Sequence, residues 1–151
     1  AENTLIASLK GDAAMEATKL IDLAMEAMTH AYAPYSGYKV GAALLTKAGK
    51  VYTGCNIENA SFGPTNCAER TAFFKAVSED ERDFAAIAVV GGKDGVVTDI
   101  FPPCGVCRQV MQEFCRPDFM IYMGRGDGSY EAVQLDALLP YGFTSKQYMN
   151  D

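Results

Sequence analysis

Three cysteines and one glutamate carry the strongest chemical signal in this sequence, split between Cys67-Ala-Glu69 and Pro103-Cys104-Gly-Val-Cys107. Thiolates hold zinc, and a structural zinc almost always has four protein ligands, whereas a catalytic one keeps a position for water. Cys104 and Cys107 are three residues apart, so on a helix they share a face and can chelate together. Cys67 brings a second element to the same ion. Glu69, two residues after Cys67, can reach a water at the open position without ligating the metal. The expected chemistry is hydrolysis by an activated water, with a carboxyl moving protons.

The remaining cysteines do not complete a closed site. On a helix continuing from Cys107, Cys115 lies about 12 Å along the axis, far beyond a Zn–S bond of about 2.3 Å. Cys55 shares a strand face with Thr53 and Ile57. Both read as buried, inert thiols, since free cysteine behaves as a small hydrophobe. Taken alone, Cys104-Gly-Val-Cys107 could be a redox pair or half of a zinc ribbon. A dithiol needs no third cysteine beside a glutamate, and a ribbon needs a second Cys-x-x-Cys, which the sequence lacks. Five cysteines are an odd number for a disulfide framework, and their spacing points to metal chemistry in the cytoplasm.

The elements that must position these residues follow from periodicity. Leu20, Leu23, Ala24, Ala27 and Ala31 predict an amphipathic helix over 14–32, ended by Pro34. Residues 39–46 and 51–58 predict two strands joined by Lys47-Ala-Gly-Lys50. Helix formers run from Cys67 to Ser78. The apolar run 84–91 suits a strand covered on both faces. A helix from Cys104 to Phe114 stops before Pro117. Strands over 119–124 and 130–135 follow, and Gly124-Arg-Gly-Asp-Gly128 between them reads as a hairpin turn. Each zinc motif falls where a loop meets a helix start, whose partial positive charge favours the thiolate. The order implies an α/β fold, with helices layered on a mixed β-sheet.

With 151 residues, the chain reads as one domain, 1–151, able to bury roughly 68–70% of its unfolded surface. A net charge of −6 and no Lys/Arg cluster argue against a nucleic-acid partner. No apolar run approaches the ~18 residues of a membrane span, and the start Ala1-Glu2-Asn3-Thr4 lacks the features of a signal peptide. His30, the only histidine, has no ligand spacing and reads as a surface residue. Asn59-Ala-Ser61 fits a glycosylation sequon, with no secretory signal to bring it to that machinery.

A Cys-x-Glu pair completed by a distant Pro-Cys-x-x-Cys is a cysteine-for-histidine version of the zinc deaminase signature. The stretch YSGYKVGAALLTKAGKVYTGCNIENASFGPTNCAERTA (35–72), with PCGVCRQV (103–110), closely resembles the homotetrameric, three-cysteine cytidine deaminases. The resemblance extends from about Ala33 to Phe143. It implies a three-layer α/β/α sandwich, one Zn2+ per subunit on Cys67, Cys104 and Cys107, and a homotetramer with shared active sites. It also implies that Glu69 shuttles protons while cytidine or deoxycytidine loses ammonia, a reaction of pyrimidine salvage. Arg70 would hydrogen-bond the cysteine sulfurs and drain charge from a site made negative by three thiolates; elsewhere it would read as a solvated helix arginine.

The resemblance further assigns the ribose hydroxyls to Asn56 and Glu58, whose side chains, two apart in a strand, point to one face. Aromatic rings would sandwich the base. Tyr38 stands where the family usually has phenylalanine, Phe143 would reach into a neighbouring subunit's site, and Phe62 would contribute to the same shared pocket. The Ala68 N–H would bind the base's O2, and the carbonyl of Pro102 would accept from the amine. Pro103 is open to either peptide isomer. Other readings are a deaminase of a different cytosine compound such as blasticidin S, a zinc-bearing nucleic-acid module, and a structural zinc protein whose fourth ligand comes from a partner.

Overall fold

The computed structural model describes residues 13–147, so the polar start at Ala1–Thr4 lies outside the described residues. Helix α1 (Ala13–Met28) turns Ala17, Leu20, Ala24, Ala27 and Met28 inward at helical spacing. It ends four residues earlier than the periodicity predicts. The Thr29 hydroxyl donates back to the Glu26 carbonyl at 2.6 Å, and the next amides tighten onto carbonyls three residues behind. Tyr32 is then captured in a parallel bridge with Ile57, so the chain leaves the helix before Pro34 has any influence.

Strands β1 (Tyr38–Thr46) and β2 (Val51–Cys55) form the expected hairpin, closed by Gly49 at φ 95°. Helix α2 (Ala68–Ser78), strand β3 (Phe84–Lys93), helix α3 (Gly105–Phe114), strand β4 (Met120–Gly124) and strand β5 (Tyr130–Gln134) follow. A four-residue helix α4 (Leu135–Leu138), which the periodicity did not predict, takes over directly from β5. The sheet order is β2-β1-β3-β4-β5, parallel only between β3 and β4, which α3 connects. Gly124–Gly128 is the predicted hairpin turn, with Gly126 and Gly128 at positive φ.

Both faces of the sheet are covered, as the apolar run of β3 predicts. Ala86, Ala88 and Val90 pack with α1, while Ile87 and Val89 pack with α2 and α3 around Phe73. Phe73 is fully buried, edge-on to Phe84 at 5.1 Å; burying such a ring contributes about 1.5–3 kcal/mol. The result is a three-layer sandwich, with α1 on one side and α2, α3 and α4 on the other.

One close approach fixes where α2 begins. A Cβ on Gly54 of β2 would lie 2.5 Å from the Ala68 carbonyl oxygen and 2.6 Å from the Ala72 nitrogen. Only a glycine lets the first turn of α2 rest this tightly on the strand. The intervening excursion returns through reciprocal backbone bonds between Ile57 and Asn66, both 3.0 Å, which deliver Cys67 to the helix start.

Candidate metal centre and active-site cleft

Cys67 and Cys104 are the N-cap residues of α2 and α3, and neither side chain is used to cap its own helix. Their sulfurs are therefore left to face each other across the two helix starts, with Cys107 one turn into α3. Cys67 Sγ lies 3.8 Å from Cys104 Sγ, and Cys104 Sγ lies 3.5 Å from Cys107 Sγ. The three sulfurs lie within 4.8 Å of one another. A tetrahedral ion with Zn–S bonds of about 2.3 Å would hold its sulfurs about 3.8 Å apart, so the donor set fits zinc. The outer cysteines stand apart from this cluster. Cys55 is half-buried rather than core, and Cys115 caps the C-terminus of α3, where burial pushes its thiol far up.

The electrostatics of the cluster favour a bound cation. A hydrogen bond from Cys107 and the Arg70 guanidinium outweigh burial and hold the Cys67 thiol well below the usual thiol range. Cys107, which holds the proton in that pair, is pushed up. Arg70 Nη2 donates to Cys67 Sγ at 3.1 Å, so the arginine reaches the sulfurs rather than solvent. The Glu69 side chain is almost fully buried, with 4% of its surface exposed. Burial, reinforced by the negative charge of Cys67, raises its carboxyl to about 7. A carboxyl poised there can both take and give a proton near neutrality.

Glu69, Cys67, Ala68 and Cys104 line a cleft of about 230 Å³ together with Asn56, Glu58, Tyr38 and Pro102. As the first residue of α2, Ala68 has an N–H without an intrahelical acceptor. Strand β2 was expected to run through Glu58 but ends at Cys55, so Asn56 and Glu58 reach the cleft by side-chain anchoring rather than by strand alternation. Asn56 is buried; its Oδ1 accepts from the Val40 N–H and its Nδ2 donates to the Tyr38 carbonyl, both at 2.8 Å. One Nδ2 hydrogen is left over. Glu58 accepts from the Ser36 hydroxyl, the Ser36 amide and the Tyr35 amide, bonds that hold it below the usual carboxylate range.

Phe62 is 84% exposed and borders an adjoining cavity of about 290 Å³, formed with Tyr35, Ser36, Glu58, Asn59 and Thr65. Phe143 is 56% exposed and is not among the residues lining the cleft of its own chain. Pro103 is trans, as there are no cis peptides among the described residues. The periodicity missed Phe101 and Ser36. Phe101 lines the cleft with its ring centroid 6.3 Å from that of Tyr38. Gly91 makes room for it: a Cβ there would lie 2.8 Å from the Phe101 ring. A glycine pair ending an apolar strand was the available signal.

The family described as the cytidine and deoxycytidylate deaminase zinc-binding region matches residues 15–123, which include all three clustered cysteines and Glu69. The chain belongs to this deaminase family. A cytidine deaminase of Halalkalibacterium halodurans is 52% identical over 137 residues, covering 91% of this chain and 100% of that protein. The crystal structure of cytidine deaminase from Burkholderia pseudomallei superposes with a TM-score of 0.77 at 48% identity, over 83% of this chain and 97% of that one. A blasticidin-S deaminase of Bacillus cereus is 29% identical over 130 residues, covering 83% of this chain and 91% of its own. These likenesses bear out the α/β deaminase fold and a zinc-binding domain, and Cys67, Cys104 and Cys107 form a cluster able to hold the ion. Among the described residues, no helix is long and apolar enough to cross a membrane.

Proposed function

We propose that this chain hydrolyses cytidine and deoxycytidine to uridine and deoxyuridine with release of ammonia, as a cytoplasmic enzyme of pyrimidine salvage. The observation that carries the proposal is a three-sulfur cluster and a buried carboxyl in one cleft with an ionised Glu58 and an anchored Asn56. When bound, zinc supplies Lewis-acid activation of a water. Glu69 accepts a proton from the attacking water and delivers it to N3 of the cytosine. It then takes the remaining proton from the new C4 hydroxyl, which becomes the carbonyl, and passes it to the departing amine. The C4–O bond forms, the C4–N bond breaks, and ammonia leaves.

The chain's other residues position the nucleoside. The unused Nδ2 hydrogen of Asn56 and the remaining lone pair of Glu58 suit a donor–acceptor pair such as the ribose hydroxyls. The Ala68 N–H suits O2 of the base, the Pro102 carbonyl suits the amine, and the Tyr38 and Phe101 rings suit its faces. Among the described residues, no lysine or arginine lines the cleft, which favours a nucleoside over a nucleotide. Phe62 and Phe143 remain outside the cleft with exposed rings, which supports a homotetramer whose subunits complete one another's sites.

The test is ammonia release by the zinc-loaded protein from cytidine, deoxycytidine, free cytosine and blasticidin S. Rapid release from the two nucleosides alone is expected. Release from blasticidin S alone would keep the zinc chemistry and overturn the substrate. Glu69→Gln should retain zinc and lose about 10²–10⁴-fold in turnover.

A further inference from the structure

Arg108 is the residue immediately after Cys107, and its guanidinium reaches in two directions, to the Pro103 carbonyl and to the Leu138 carbonyl. Its backbone N–H donates to the Cys104 carbonyl at 3.0 Å, while its Nε reaches back to the Pro103 carbonyl at 2.7 Å. The first of these is the opening helical bond that any residue here would make; what the arginine side chain adds is the hold on the Pro103 carbonyl, just before Cys104. Helical side chains lean toward the N-terminus, which makes this reach available to a residue in the first turn. Cys104 needs such a grip. It is an exposed N-cap without a side-chain cap, and the following Gly105 has nothing within 4 Å of where a Cβ would stand.

The other arm of the guanidinium points away from the metal centre. Arg108 Nη1 donates to the Leu138 carbonyl at 2.8 Å, at the C-terminal end of α4, where a positive charge and a donor are both favourable. Two further α3 side chains continue this seam. Gln109 Nε2 donates to the Phe143 carbonyl at 3.0 Å, and Gly142 lies so close to Gln112 that a Cβ would come within 2.9 Å of its Oε1. The helix that presents two zinc ligands therefore also clamps the segment 138–143.

We infer that Arg108 is a positioning residue that couples the zinc-binding turn to the segment carrying Phe143. Its planar fork holds the Pro103 and Leu138 carbonyls at fixed separation, a task an ammonium on a flexible stem performs poorly. The zinc half of the inference rests on the ligand set alone; the value of placing Phe143 rests on the proposed shared active site.

The experiment compares zinc-loaded wild type with Arg108→Ala and Arg108→Lys, using two readouts that need no substrate. The first is the rate of zinc transfer to a chromogenic chelator. The second is hydrogen exchange at the amides of 139, 141, 142 and 143. In Arg108→Ala both should rise, zinc loss by about 10-fold or more, with an intermediate effect in Arg108→Lys. Added guanidinium ion should slow zinc loss in the alanine variant. Faster exchange at 139–143 with unchanged zinc release in both variants would overturn the coupling, as would a lowered Tm with neither readout altered. Cytidine turnover by the wild type is scored separately, so failure of the substrate assignment leaves this result intact. If Arg108→Ala does not fold, the lysine variant carries the same two comparisons.

Discussion

Arg70 Nη2 donates to Cys67 Sγ at 3.1 Å, three residues further along the same helix. Three thiolates on one Zn2+ leave a net negative centre, which makes a nearby water harder to deprotonate than neutral ligands would. A guanidinium bonded to a sulfur draws some of that charge away. Arg70→Ala should therefore fold but lose zinc or turnover, by about 10–100-fold. Metal content and rate, measured on the same sample, decide the matter. Full zinc occupancy with an unchanged rate would remove the role.

Glu58 performs two tasks with one carboxylate. It anchors the turn at Tyr35 and Ser36, and its remaining acceptor capacity is offered to the cleft. Removing it should raise KM for cytidine by about 10-fold or more, through the loss of charge-assisted hydrogen bonds to the sugar. A Glu58→Ala protein with wild-type KM for cytidine would sink the sugar-binding assignment. Ser36→Ala separates the tasks, since it loosens the anchor while leaving the carboxylate in place.

Gly54 should tolerate no side chain. Its missing Cβ is occupied by backbone atoms of α2, which cannot rotate aside as a flexible side chain could. Gly54→Ala is expected to destabilise by about 1–3 kcal/mol through overpacking and to weaken zinc retention, because the displaced turn carries Cys67 and Glu69. Gly63→Ala is the control, since nothing lies within 4 Å of that position. Equal melting temperatures and zinc affinities for the two variants would contradict this account.

The cysteine cluster that could hold zinc was legible because ligand chemistry is local: a two-residue and a three-residue spacing at helix starts say most of what the geometry later provides. The strands and helices were legible for the same reason, through periods of two and 3.6. What the sequence hid depends on partners far along the chain. Phe101 enters the cleft only because Gly91 lies beneath it, and Arg108 finds the Leu138 carbonyl thirty residues away. Asn56 could be read as a sugar ligand, but not as the residue whose amide is already committed to Val40 and Tyr38 in β1. Helix α1 shows the opposite error. Pro34 is a visible stop signal, yet a threonine hydroxyl and the Tyr32 bridge end the helix first.

The pair Glu16 and Tyr122, on the face opposite the metal centre, sets a pH dependence with a definite sign. Their side chains meet at 3.5 Å between α1 and β4. Burial raises both: Glu16 above its usual 4.5 despite the Tyr122 hydroxyl, and Tyr122 to about 12. A raised acid holds its proton more tightly in the folded state, so its contribution to stability is complete below the unfolded pKa and is lost as pH rises through the folded one. For Glu16 that loss begins near pH 4.5 and proceeds as pH rises through its raised folded value; for Tyr122 it spans pH 10 to about 12. Glu16→Gln should therefore raise Tm at pH 7 but not at pH 3.5. Glu16 is only partly buried, so screening holds the gain below about 1 kcal/mol, or about 2–4 °C. Tyr122→Phe should flatten the loss of stability above pH 10. Melting curves across pH 3.5–11 check both variants, and a Glu16→Gln gain of equal size at pH 3.5 and pH 7 would show that packing, not ionisation, is responsible.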